Sequence, residues 1–131
     1  MKIDKKRKIV IVDSFSKVDK VLKFDGFSLI IGIGCEIGDI YADEILVGKS
    51  CKLGNVSCSR IVLGAFCSFE SIHANDVRLL NSCKGKKIIG KVVKIGENCR
   101  VSEISADLLE MTGASRIDKI NANKIRCVDS I

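Results

Sequence analysis

Cysteine recurs every sixteen residues in this chain, at Cys35, Cys51, Cys67, Cys83 and Cys99, and Ser115 and Ile131 continue the series. So strict an interval is an internal repeat. It constrains the fold more than any single motif, because each unit must adopt one local structure and bury its apolar face against its neighbours.

Other columns keep the same interval. Ile31, Val47, Leu63, Leu79, Ile95, Met111 and Cys127 form one; Ile40, Val56, Ile72, Ile88, Ile104 and Ile120 a second; Ile45, Ile61, Val77, Val93, Leu109 and Ile125 a third. Ala42, Cys58, Ala74, Gly90, Ala106 and Ala122 make a small-residue column, and Ile37, Leu53, Phe69, Gly85, Val101 and Ile117 a larger one. Across these columns from Leu29 onward, only Gly85, Gly90 and Ser115 are not apolar.

The spacing within a unit identifies the element. From Ile45 the apolar positions are 45, 47, 51, 53, 56 and 58, and the next unit opens at 61. Three pairs two residues apart, separated by longer steps, describe three short strands joined by three corners, since side chains on a strand alternate faces. The chain is therefore expected to be all-β: a single-chain parallel β-helix of triangular section, with about sixteen residues per turn. Seven turns from residue 29 to 131 at about 4.8 Å each give a rod of roughly 34 Å.

Composition agrees. There is no proline, as suits a chain whose backbone N–H groups are needed in ladders. Gly32, Gly48, Gly64 and Gly96, and again Gly38 and Gly54, follow inward positions, where a corner requiring positive φ is expected. Helix competes only around Ser105 to Met111, and that stretch stays in phase with the repeat. Residues 13–28 keep half the pattern (Phe15, Val21, Phe24) and read as a degenerate turn or partial cap. Residues 1–12 read as a basic N-terminal segment. The stretch from Lys84 to Lys91, with Leu80 in the glycine column, is the turn expected to bulge.

The function classes narrow accordingly. No run of eighteen apolar residues is present, and the start of the chain is too charged for a secretory signal. A cytoplasmic location is expected, with a peripheral position at the inner face of the membrane as its variant. Seven cysteines then read as reduced thiols. All fall in inward columns, where free cysteine packs as a small hydrophobe, and a single line of sulfurs without histidine partners is no tetrahedral metal set. No catalytic residue, cofactor or metal is expected.

Charge points to partners. The net charge is +6, and Lys2, Lys5, Lys6, Arg7 and Lys8 crowd the start. Such a segment reads first as a solvated end and next as a contact for an anionic surface, with nucleic acid a weaker option. A second basic group, Lys52, Lys84, Arg100 and Arg116, falls in one outward column with Glu36 and Ser68. It suits a polyanion or an acidic partner.

The final turn, with Ile125, Cys127 and Ile131 in inward columns, is expected to be uncapped, and these three residues are the expected self-association surface. The string from Gly38 to Gly48, Gly-Asp-Ile-Tyr-Ala-Asp-Glu-Ile-Leu-Val-Gly, resembles the repeat of bactofilins, with weaker echoes at 71–79, 103–111 and 119–127. The resemblance implies a right-handed β-helix that assembles end to end into oligomers or filaments, often at the membrane, and scaffolds envelope or cell-shape proteins. Two readings compete with a non-enzymatic scaffold. One is a hexapeptide-repeat acyltransferase using His73, whose eighteen-residue turn does not match. The other is a soluble adaptor acting through the basic column.

Overall fold

Stacked sixteen-residue units leave each strand one hydrogen-bonding neighbour above and one below, and the protein satisfies them in parallel. The structure, a computed structural model, describes residues 1–128. Its strands are β1 (Lys2–Asp4), β2 (Ile9–Val12), β3 (Lys17–Val18), β4 (Leu22–Lys23), β5 (Ser28–Ile31), β6 (Glu36–Ile37), β7 (Ile40–Tyr41) and β8 (Glu44–Val47). They continue as β9 (Lys52–Leu53), β10 (Asn55–Ser57), β11 (Arg60–Leu63), β12 (Ser68–His73), β13 (Asp76–Leu79), β14 (Lys84–Ile95), β15 (Arg100–Thr112) and β16 (Arg116–Val128). Among the described residues no helix is long and apolar enough to cross a membrane.

The strands form a β-solenoid of about eight turns with roughly sixteen residues per turn. The first face stacks β2, β5, β8, β11 and β13, then the second halves of β14, β15 and β16. The second face begins with β3, β6 and β9, and the third with β4, β7 and β10. Leu29, Ile45, Ile61, Val77, Val93 and Leu109 stack in the interior, each no more than 3% exposed. Opposite them, Ile40, Val56, Ile72, Ile88 and Ile104 do the same. No buried polar or charged residue interrupts this core among the described residues. The stretch from Ser105 to Met111 is strand, within β15.

Three expectations need correction. The solenoid begins earlier than residue 29: β2 is its first parallel rung on the first face, and β1 pairs antiparallel with β2 as a hairpin, so residues 1–12 are structured. Its first turn takes nineteen residues, with Ile9 beside Ser28 and Lys17 beside Glu36. Three extra residues put Phe15 and Val21 out of phase, and they are 79% and 57% exposed, while Val12, Val18 and Leu22 take the places above Ile31, Ile37 and Ile40. Phe24, beside the small-residue column, is half-buried against the core.

The second correction concerns the glycines. Gly32, Gly48, Gly64 and Gly96 do not take positive φ. Their stacking is vertical: a Cβ on Gly64 would stand 2.8 Å from the carbonyl carbon of Gly48 and from the Lys49 nitrogen. The left-handed conformation falls two residues later, at Gly34, Ser50, Phe66, Ser82 and Asn98. The third is the turn from Lys84 to Lys91, which does not bulge. Ser68 to Lys84 and His73 to Ile89 remain in strict register, and β14 runs through the corners as one twelve-residue strand.

Candidate assembly edge, basic column and thiol ladder

The residues singled out by sequence fall into three places. The first is the last described strand. Eleven of the thirteen residues of β16 pair in register with β15, and among the described residues no strand pairs with its other edge. Ile125 and Cys127 stand in the inward columns, but among the described residues no turn follows to cover them and both are exposed, Ile125 by 51%. Ile120 and Val128 are exposed alongside. Ile131 lies outside the described residues. At the opposite end β1 covers the first rung of the first face, so the two ends differ.

The second place is the outer surface of the second face. Register aligns Lys17, Glu36, Lys52, Ser68, Lys84, Arg100 and Arg116 on successive rungs. Lys84, Arg100 and Arg116 thus follow one another directly, whereas Ser68 separates them from Lys52. They line an open indentation with Gly85, Ser102 and Asp118. Asp118 lies 3.6 Å from the Arg116 guanidinium, and neighbouring Lys86 is held by Glu70 at 2.8 Å. Because these side chains are exposed, such pairs contribute little to stability.

The structure does not bring the N-terminal cations to this column. Lys5 to Lys8 form the turn of the β1–β2 hairpin beside the first rung of the first face, and Lys2 is on β1. All five N-terminal cations are exposed. His73 faces outward between Ser57 and Ile89 on the third face. Among the described residues no three His, Cys, Asp or Glu side chains are grouped to hold a metal ion.

The third place is the cysteine column, where residue patterning identified packing but missed hydrogen bonding. Cys51 Sγ donates to the Gly32 carbonyl at 3.0 Å, Cys67 to Gly48 at 3.1 Å, Cys83 to Gly64 at 3.2 Å and Cys99 to Leu80 at 3.1 Å, each nineteen residues back. Cys35 reaches Asp13 at 3.1 Å, twenty-two residues back, because the first turn has three more. Two of the sulfurs also accept: the Cys35 N–H donates to Cys51 Sγ, and the Cys51 N–H to Cys67 Sγ. Ser115 repeats both contacts, donating to the Gly96 carbonyl at 2.8 Å and accepting from the Cys99 N–H at 3.1 Å.

A corner breaks the strand ladder, and a buried backbone group left unpaired there is costly. One side chain per turn able to donate and accept at the γ position meets that need, which is why serine can stand in for cysteine. Burial pushes the Cys51 thiol from 9.0 to about 11 and, with Asp43 nearby, Cys58 to about 12. Cys67 is raised by burial, and Cys83 by the adjacent Cys99 sulfur and by burial. Cys99 is instead lowered to about 7 by its hydrogen bond with the Cys83 sulfur. Cys51, Cys67 and Cys83 are thus kept protonated as donors, the opposite of what a nucleophilic thiolate needs.

No family model matches the chain, and neither a curated protein nor a solved structure does.

Proposed function

We propose that the protein is a non-enzymatic, self-associating scaffold of the bactofilin type, joining through the ends of its β-solenoid. The observation that carries this reading is β16: a thirteen-residue strand edge bordered by exposed Ile120, Ile125 and Val128. A long edge presenting both backbone donors and apolar side chains is a template for another strand. End contact in register would extend the core, laying a second copy's interior columns on Ile125 and Cys127. The bactofilin resemblance of the Gly38 to Gly48 string supports the same reading, and the N-terminal cations suit a peripheral position on an anionic membrane surface.

Electron microscopy and sedimentation of the purified chain test it. Filaments or long oligomers are expected from the parent, and Ile125→Lys is expected to shorten them while circular dichroism stays unchanged. Assembly of that variant indistinguishable from the parent would refute end-to-end contact through β16. The adaptor reading is favoured by one observation, the consecutive cations Lys84, Arg100 and Arg116. It calls instead for small oligomers that bind an acidic partner and lose it in Arg100→Glu.

A further inference from the structure

The outward column of the first face changes character halfway along the rod. Its first four rungs carry Ile11, Ile30, Leu46 and Val62, and the next four carry Arg78, Lys94, Glu110 and Arg126. Ile11, Ile30 and Leu46 are 40%, 42% and 53% exposed. With Ser28, Glu44 and Arg60, the latter two and Val62 border a shallow, largely apolar depression. The protein's own core does not use these side chains, since Leu29, Ile45 and Ile61 on the same strands already fill the interior. Parallel sheets are generally covered on both sides, yet this half of the face is bare.

We infer that this face pairs with the same face of a second copy, the two solenoids running antiparallel about a two-fold axis that lies along the strands between β8 and β11. Such an axis makes each column face itself with its rung order reversed. The flanking outward column, Ser28, Glu44, Arg60 and Asp76, selects the position. With the axis between β8 and β11, Leu46 meets the partner's Val62, Glu44 meets the partner's Arg60, and Ser28 meets the partner's Asp76. Each contact occurs twice. An axis on β8 would set Glu44 against its own copy, and one on β11 would do the same to Arg60.

The ends of the face fit the same register. Ile30 and Ile11 come under the aliphatic stems of the partner's Arg78 and Lys94, which cover apolar surface while their charges reach water. Lys2, opposite Ile11 on β1, comes to the partner's Glu110. Eight rungs of four residues give a face of roughly 500 Å², short of the approximately 800 Å² per partner of a standard stable complex. Pairing is therefore weak, in the micromolar range, and within a polymer it would bind two filaments side by side.

The pairing does not depend on end-to-end assembly, so the test uses Ile125→Lys as its background. Sedimentation equilibrium between about 1 and 200 µM is expected to give a concentration-dependent dimer. Leu46→Lys, an outward position, is expected to be monomeric throughout with an unchanged melting curve. Glu44→Arg and Arg60→Glu are each expected to weaken the dimer about tenfold, and the two together to restore it. Arg60 also lies 3.7 Å from Asp76 within its own chain, so melting curves accompany each variant. A Leu46→Lys protein that dimerises like its background, or a double reversal that fails to recover, overturns the proposal. So does a monomeric background that instead floats with anionic vesicles in a Leu46-dependent way, which would make the face a lipid contact.

Discussion

The ring of Phe69 occupies the space that a side chain on Gly85, its in-register neighbour one turn on, would need. Both belong to an inward column otherwise filled by Ile37, Leu53, Val101 and Ile117, so one rung is overfilled and the next is left empty. Phe69 is 4% exposed and cannot swing into solvent without opening the core. Gly85→Val is therefore expected to destabilise the protein by about 1–3 kcal/mol through overpacking, and Phe69→Ala by about 3–5 kcal/mol through the cavity. Combined, the two should cost less than their sum, because each relieves the other. Urea unfolding of the four proteins measures this, and strict additivity would show that the ring does not fill the Gly85 space.

The glycines of the corners divide by geometry. Gly64 touches backbone above it, and backbone cannot give way, so Gly64→Ala is expected to cost more than 1 kcal/mol. Gly38, whose added Cβ would meet nothing within 4 Å, is expected to accept alanine with no loss and a gain of up to about 1 kcal/mol from the unfolded chain. Comparable melting temperatures for Gly64→Ala and Gly38→Ala would mean the turns can spread apart at the first corner.

That division marks how far the sequence could be read. The period, the three faces and the inward columns follow from spacing alone, because a two-residue alternation repeated every sixteen positions admits one stacking. The left-handed corner position was not legible, since Ser50, Phe66, Ser82 and Asn98 share no side-chain chemistry and what they share is backbone shape. The first turn was misphased because a three-residue insertion shifts side chains without removing apolar residues, so Phe15 and Val21 imitate the column that Val12 and Val18 fill. Of the functional surfaces, the basic column was legible as a column. Of the apolar row, Ile30, Leu46 and Val62 keep the sixteen-residue interval, while Ile11 joins them only through the nineteen-residue turn and was not legible.

Phe66 takes φ of 62° and is 67% exposed, a conformation that side chains with a Cβ adopt at a cost. Asn98 and Gly34 hold the same place on other turns. Phe66→Asn and Phe66→Gly are expected to be neutral or to stabilise by about 0.5–1 kcal/mol. A loss above 1 kcal/mol in both would indicate that the Phe66 ring packs on its neighbours more than it strains its backbone.

Alkali should attack the thiol ladder specifically. The folded state holds the Cys51 proton more tightly than the unfolded chain does, since burial raises its thiol from 9.0 to about 11, and Cys58 is raised to about 12. Proton uptake is then equal in both states well below pH 9, so stability is level there. As the pH rises from 9 toward 12 the unfolded chain ionises first and stability falls. Serine at position 51 offers the same donor and acceptor, as Ser115 does at 2.8 Å and 3.1 Å, but does not ionise in this range. Cys51→Ser is thus expected to keep most of its stability at pH 7 and to show a shallower alkaline decline than the parent. Thiol labelling gives an independent check at pH 8, where exposed Cys127 should react at once and the buried cysteines only as the chain unfolds. An equal alkaline slope in parent and Cys51→Ser, or rapid labelling of several thiols in the folded protein, would show that the sulfurs are not held protonated against the corner carbonyls.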